Sequence, residues 1–504
     1  MDLLKKAEKI YTAALDEVEP ENIIKRNVTV REEKLIIQDK GFDLKRFDNI
    51  FLVAIGKAAP FMAKSLLGIL GDKIEEGVVI YLPQHKIDLK NITCLPAPHP
   101  LPDERSVSAA RSILNLAKKV SEKDLLIVLI SGGGSAQTSL PAQGISIEEK
   151  SIITNRLLKA GADIKELNTV RKHLSRIKGG RLAQAGFPGT IISLVLSDVI
   201  NNDLESIASG PVYWDSSTYG DALKVLRKYN IWDSAPYSIK KAIEKGIKRQ
   251  IKETIKKGDQ AFSRVSNFII GDNKKALQAA RREAERLGFE SLILTSSDKG
   301  EARDAARNYV SLLRNILHSG KARSFPLCLL AGGELTVSVK GKGEGGRNQE
   351  FVLAVLVEII NRKMESEDWL ILSLGSDGID GPTNAAGAWI VQSTLERVQT
   401  LSLVPVSYLD RNDSYNFFKQ AGGLIFTGPT HTNVMDIRVF LIDYKKGLPH
   451  RKGDRGRGRN VDSPVIARNV EDSFASLGTG CAISKCSAFE WDCCVVSLLA
   501  MTGR

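Results

Sequence analysis

Residues 124–136 read DLLIVLISGGGSA, an apolar run that stops abruptly at Gly132, Gly133 and Gly134. Leu125 to Ile130 is too short for a helix and too apolar for a strand with one face in water. It therefore predicts a strand in the middle of a parallel sheet covered on both faces. The glycines let the backbone take positive φ and bring its N–H groups against an anion with no Cβ in the way. With Ser131 and Ser135 on either side, the stretch is a candidate phosphate loop at the carboxyl end of a strand, where open α/β sheets hold ligands. A plain strand-to-helix turn accounts for the glycines equally well. A Walker A loop is excluded, because no Gly-Lys-Ser/Thr follows.

Similar junctions lie on either side. Phe51 to Ile55 reads as a strand running into Gly56-Lys57-Ala58-Ala59, which places the Lys57 ammonium at a helix start where it can neutralise a phosphate or simply be solvated. His99 sits in PAPHPLPDERS, an extended proline loop before a helix capped near Asp103. Ile147 to Lys159 reads as one helix, and Ile164 to Ala185 as the next. The latter interleaves Arg171, Lys172, Arg176, Lys178 and Arg181 with Leu167, Val170, Leu174 and Ile177, which fits an anion-binding face or a solvated one. Thr190 to Leu196 is a strand ending in Ser197-Asp198. A carboxylate there can hold magnesium through water, accept a hydroxyl proton, or cap a helix. Residues 219–264 read as helical and peripheral. The alternation of strand and helix then continues, which argues for an α/β fold with mainly parallel strands.

A second glycine-rich region follows. Strands at Cys328 to Leu330 and Thr336 to Val339 bracket Gly332-Gly333-Glu334, and Gly341 to Gly346 lead to Arg347 at the head of an apolar helix. Arginine in that position can take a phosphate bidentately, helped by the helix N-terminus. After the strand Trp369 to Leu374 comes GSDGIDGPTNAAGAW, whose Asp377 and Asp380 suit a hydrated magnesium ion or merely shape a turn. An EF-hand is excluded, because no glutamate closes a twelve-residue loop.

With 504 residues and 43% hydrophobic content, the chain has room for two or three globular domains with full cores. Its net charge of +12 and pI near 9.2 would suggest nucleic acid. Much of the excess, however, sits in one glycine-bearing stretch holding Lys445, Lys446, Arg451, Lys452, Arg455, Arg457 and Arg459, which reads as a disordered basic arm. Cys94 and Cys328 read as reduced core thiols, and Cys481, Cys486, Cys493 and Cys494 lack the spacing of a zinc site. The N-terminus has no signal core or Arg-rich presequence, and no run of about eighteen apolar residues occurs. A cytoplasmic protein without a membrane span is expected.

Taken together, VAIGKAA at 53–59, PAPHPLPDERS, LISGGGSA, LNTVRKHLSRIKGGRLA, LSDVINNDLESIASGP, AGGELTV, GGRNQEFVLA, SDGIDGPT and GPTHTNVMD resemble, in order, the MOFRL-type glycerate 2-kinases. The resemblance implies transfer of the ATP γ-phosphoryl group to the 2-hydroxyl of D-glycerate, with Mg²⁺, giving 2-phosphoglycerate. It also implies a Rossmann-like parallel-sheet N-terminal domain over 1–260, rejoined by 261–320, and a smaller α/β domain over 321–443, with the active site in the cleft between them. Lys57 and Arg347 match the family's essential lysine and arginine. On this basis Ser131, Gly132, Gly133, Gly134 and Ser135 are expected at the ATP phosphates, and Lys57 and Arg347 at the transition-state charge. Asp198 is expected at magnesium or the attacking hydroxyl, Asp377 and Asp380 at magnesium, and Arg171 or His173 at the glycerate carboxylate.

Departures from the family pattern are Asn201-Asn202 after LSDVI, Gln137-Thr138-Ser139 in an ordinarily apolar segment, Asn384 for aspartate, and His431 for a glycine. Residues 444–504 resemble nothing in the family and read as disordered or non-native. A homodimer is left open. The competing readings are a hydroxypyruvate-type oxidoreductase, against which stands the absence of G-x-G-x-x-G with a ribose-binding acid, and nucleic-acid binding through the basic arm.

Overall fold

The computed structural model describes residues 2–318, 326–364 and 368–443. The basic arm and the cysteines from Cys481 onwards lie outside the described residues. Two compact units are formed: one by Val18–Asp272 with His431–Asn433, the other by the segments preceding and following these. Among the described residues no helix is long and apolar enough to cross a membrane.

Helix α1 (Leu3–Glu17) opens the chain and belongs to the second unit, burying Ala7, Ile10 and Ala14 along one stripe. The first unit starts with α2 (Pro20–Asn27), whose first turn holds a proline and is capped by the Glu19 carboxylate. A small antiparallel sheet follows, made of β1 (Val28–Arg31), β2 (Lys34–Ile37) and β3 (Lys40–Asp43).

The body of this unit is an all-parallel sheet of β4 (Ile50–Ile55), β5 (Ile74–Tyr81), β6 (Ile92–Pro96), β7 (Leu125–Ile130), β8 (Thr190–Leu196) and β9 (Val265–Gly271). Every residue of β4 and β7 is buried, which is why their sequences are unbroken apolar runs rather than alternations. The strand order is β6-β5-β4-β7-β8-β9, so the chain winds outward from β4 in one direction and from β7 in the other. That Rossmann-type order reverses between β4 and β7, and open α/β sheets hold ligands beyond the carboxyl ends of strands at such a reversal.

Helices α3 (Ala59–Leu70) and α4 (Glu104–Ala117) connect strands in the first half of the sheet, α4 being capped by Asp103 as expected. Helices α5 (Gly134–Gln137), α6 (Ile147–Lys159), α7 (Ile164–His173) and α8 (Arg181–Gly186) lie between β7 and β8. Helices α9 (Tyr219–Lys228) and α10 (Tyr237–Ile247) precede β9, and the rest of 219–264 contains no further α-helix. The single helix expected over 164–185 is in fact two. Gly179 and Gly180 turn the chain with φ of +59° and +80°, and a Cβ on Gly180 would stand 2.7 Å from Ile255. The turn depends on glycine there.

The second unit contains α11 (Asn273–Arg286), β10 (Glu290–Glu301), α12 (Ala302–His318), β11 (Leu327–Thr336), α13 (Arg347–Asn361), β12 (Asp368–Gly375), β13 (Gly387–Val391), α14 (Gln392–Thr400), α15 (Pro405–Asp410), α16 (Ser414–Ala421), β14 (Leu424–Ile425) and β15 (Asp436–Asp443). Its sheet, ordered β10-β11-β15-β12-β13-β14, is mixed: β10 and β11 are parallel and the other neighbours antiparallel. The expectation of mainly parallel strands therefore holds for the first unit only. Two strands were expected around Gly332-Gly333, but β11 runs straight through them. A Cβ on Gly332 would lie 1.9 Å from Asn273 Oδ1, and one on Gly333 2.2 Å from the Asp298 nitrogen, so these glycines admit close packing within the unit. Helix α13 is buried almost all round, from Asn348 to Leu356, which fits its lack of a polar face.

Candidate active site

The ends of β4 and β7 are joined by hydrogen bonds that the sequence dictates residue by residue. Gly56, at φ +112°, comes so close to β7 that a Cβ would meet Ser131 Oγ at 2.3 Å. Ser131 Oγ accepts the Ala58 N–H at 3.0 Å, the Lys57 N–H donates to the Gly132 carbonyl at 2.8 Å, and the Gly56 N–H donates to Gln137 Oε1 at 2.9 Å. Ser131 and Gln137 are buried and hold the two strand ends together.

Lys57 is half-buried at this junction. A Cβ placed on Gly133 would lie 3.2 Å from Lys57 Cγ and 3.0 Å from His99 Cδ2, so Lys57, His99 and the glycine turn are neighbours. Burial, and then the charge of Lys57, push His99 down to about 4, which leaves a neutral imidazole beside the ammonium. Asp198, just past β8, completes the set: its Oδ2 lies 2.0 Å from where a Cβ on Gly132 would stand, and it accepts from Asn433 Nδ2 at 3.5 Å. Side chains from the ends of β4, β6 and β8 thus converge on the turn after β7.

A cavity of about 390 Å³ opens beside the turn, with Gly133, Ser135, His99, Lys150, Arg171 and Lys178 in its wall. The cations expected together on one helix face, anion-binding or solvated, have separate fates. Lys172 is buried against Glu205 (2.9 Å) and Asp215 (3.2 Å), and Arg176 is exposed. Arg171 and Lys178 reach the cavity, and Lys178 donates to the Ser135 carbonyl at 2.7 Å and hydroxyl at 3.0 Å. Ser135 Oγ also meets Ser209 Oγ at 2.9 Å. His173, expected at the substrate, is fully buried. Its Nδ1 is 2.7 Å from the Thr169 carbonyl and its Nε2 2.8 Å from Glu253, which fastens α7 and leaves no ring nitrogen for a ligand.

In the second unit Arg347 is the first residue of α13. Its guanidinium donates from Nε to Asp436 Oδ2 at 2.9 Å, from Nη2 to Asp436 Oδ1 at 2.9 Å, and from Nη1 to Glu334 at 2.7 Å. Burial lowers its proton affinity, and the Asp436 and Glu334 carboxylates more than reverse this. Asp436 is itself fully buried and also accepts from Asn348 and from Arg438, which in turn pairs with Asp298.

Asp380 does not fit the expected magnesium role. Its oxygens accept the N–H groups of Asn348 (3.0 Å) and Gln349 (2.9 Å), so it caps α13, and burial pushes it up to about 6 despite those bonds. Asp377 accepts the Ile379 N–H at 3.2 Å, a turn-shaping bond. Among the described residues no group of three or more His, Cys, Asp or Glu could hold a metal.

Lys150, Gln137, Asn433 and Asp436 were not anticipated as members of these clusters. Lys150 could have been found: Ile147, Lys150, Ile153 and Leu157 share the buried stripe of α6, so a charge falls where an apolar residue belongs.

A parallel sheet whose order reverses beside a glycine turn, with Lys57 and Asp198 packed against that turn, has the form of an α/β enzyme. The DUF4147 domain of unknown function matches residues 6–244 and the MOFRL family matches 327–436. A glycerate 2-kinase of Pyrococcus horikoshii is 39% identical, covering 89% of this chain and 99% of the relative. A D-glycerate 2-kinase of Thermotoga maritima is 42% identical, with 78% and 91% covered. The glycerate kinase of Rattus norvegicus is 35% identical, with 88% and 94% covered. Crystal structures of a P. horikoshii protein and of T. maritima glycerate kinase each match with a TM-score of 0.77 at 39% identity, over 88% of this chain and 99% of theirs. The chain belongs to the glycerate kinase family.

Proposed function

We propose that the protein transfers the γ-phosphoryl group of ATP to the 2-hydroxyl of D-glycerate, yielding 2-phosphoglycerate and ADP. The convergence of Lys57, the glycine turn and Asp198 where β4 and β7 part carries this reading, in a chain of the glycerate kinase family. The hydroxyl oxygen attacks the γ-phosphorus, the bond from phosphorus to the ADP oxygen breaks, and the hydroxyl proton passes to a carboxylate. Such a reaction asks the protein mainly for positioning and for charge on the transferring oxygens.

In this reading the backbone of Gly132 to Ser135 lines the phosphates, Lys57 and Arg347 meet transition-state charge, and Asp198 accepts the proton or holds the ion. Magnesium, when bound, neutralises phosphate oxygens. It keeps most of its waters and needs only one or two carboxylates beside the phosphates, which Asp198 suits. Among the described residues none of the acidic, histidine or cysteine clusters suits a metal caged by protein alone. With ATP as donor, the reading also carries the cytoplasmic placement expected from the sequence.

The test is a pair of assays on the full chain: ADP release with D-glycerate and Mg-ATP, and NAD(P)H oxidation with hydroxypyruvate. Glycerate-dependent ADP release, with a 2-phosphoglycerate signal by phosphorus NMR, is expected. Nicotinamide oxidation without ADP release would overturn the kinase.

A further inference from the structure

The cavity beside the glycine turn is built unlike the rest of the first unit. Lys150 is 4% exposed, and its Nζ has no hydrogen-bond partner among the described residues. A buried ammonium without an anion is costly, yet the chain adds Arg171 and Lys178 to the same wall and no acid at all. Where a buried lysine serves packing alone, the chain neutralises it, as it does Lys172 with Glu205 and Asp215. The cation cluster around Lys150 is therefore left open for an anion from outside.

We propose that this cavity is the acceptor's carboxylate pocket, in which Lys150 Nζ and the Arg171 guanidinium bind the carboxylate of a small 2-hydroxy acid and set its specificity. The proposal rests on the kinase reading and deepens it. Gly133 lies in the cavity wall and beside Lys57, so the cavity that holds Lys150 reaches the turn where the kinase reading places the transferring phosphate. Burial, and then Arg171 and Arg181, push Lys150 down to about 7. The groups facing it are Arg171 from α7, Lys178 and Arg181 from the turn into α8, and His99 from the loop after β6, all cationic or neutral. A bound carboxylate reverses that repulsion, so binding draws a proton onto Lys150.

A nucleotide phosphate shares the oxyanion chemistry, and the experiment separates the two. D-glycerate is titrated into the full chain without ATP at pH 8, by calorimetry in two buffers of different ionisation enthalpy. Uptake of about one proton is expected in the unaltered protein and none in Lys150→Met, whose affinity falls roughly 10- to 100-fold. In turnover, KM for D-glycerate rises by a similar factor in Lys150→Met and in Arg171→Gln, with KM for ATP within about twofold. Discrimination between D-glycerate and its uncharged amide falls in parallel. A rise in the ATP KM alone would assign the cavity to a nucleotide phosphate and overturn the proposal, as would unchanged constants for both substrates. Binding is read without turnover, so failure of the pocket and failure of the kinase reading remain distinct.

Discussion

His431 stands at φ +60°, with its ring centroid 4.3 Å from that of Phe61 and 5.6 Å from that of His85. The left-handed backbone costs a residue with a Cβ about 1 kcal/mol relative to glycine, and the ring contacts return a comparable amount. The histidine is thus a packed substitute at a position whose backbone favours glycine. His431→Ala keeps the strain and loses the rings, so it should be less stable than His431→Gly by about 1 kcal/mol in urea unfolding; the opposite order would show an unstrained backbone. Arg347 presents a different residue-scale problem. Reversing its charge would set a carboxylate against the fully buried Asp436 and the exposed Glu334. Arg347→Glu should cost on the order of 2–4 kcal/mol, tempered by the partial exposure of the side chain. Arg347→Gln, which leaves Asp436 its bonds from Arg438 and Asn348, should cost clearly less. Equal melting of the two variants would deny Arg347 its structural share.

Among the elements, α6 shows most plainly how stability and site chemistry oppose each other. Lys150 lies on its buried stripe with a proton affinity reduced to about 7, far below that of an unfolded lysine. The unfolded chain binds more protons than the folded one between pH 7 and about 10.4, so stability contributed at this position rises with pH across that window. Below pH 7 the full cost is present, on the order of 4 kcal/mol as an upper bound. Lys150→Met should therefore be more stable than the unaltered protein at pH 7 in the absence of D-glycerate, with the gap closing towards pH 10. A gap independent of pH would mean that Lys150 keeps in the fold the proton affinity of an unfolded lysine. The sequence held the outline of these elements. Ile147–Lys159 and Thr190–Leu196 were legible to the residue because a capping box and a doubly buried strand leave local signals. The break at Gly179-Gly180 and the unbroken β11 were not, because they depend on Thr254, Ile255, Asn273 and Asp298, distant in sequence.

At the scale of the molecule, periodicity and apolar runs disclosed an α/β chain, and the glycine turn pointed to the carboxyl end of β7. The reversal of strand order that gives this turn its position could not be read, since it is a pairing of β4 with β7 across β5 and β6. The same holds for Arg347, whose partner Asp436 lies 89 residues away. Lys57 and Arg347 belong to different units, and the kinase reading asks both to act on one phosphoryl group. Lys57→Met and Arg347→Gln should each lower kcat roughly 10²- to 10³-fold, the scale of losing one donor to a developing charge. If both cations stabilise the same transition state, the second substitution removes little that the first has not already lost. The double variant should then fall short of the product of the single effects by tenfold or more, a coupling above about 1 kcal/mol. Strict multiplication of the two losses would instead mean that Lys57 and Arg347 act on separate steps, and Arg347 would be left with the role its geometry already shows, pairing Asp436 and Glu334 at the head of α13.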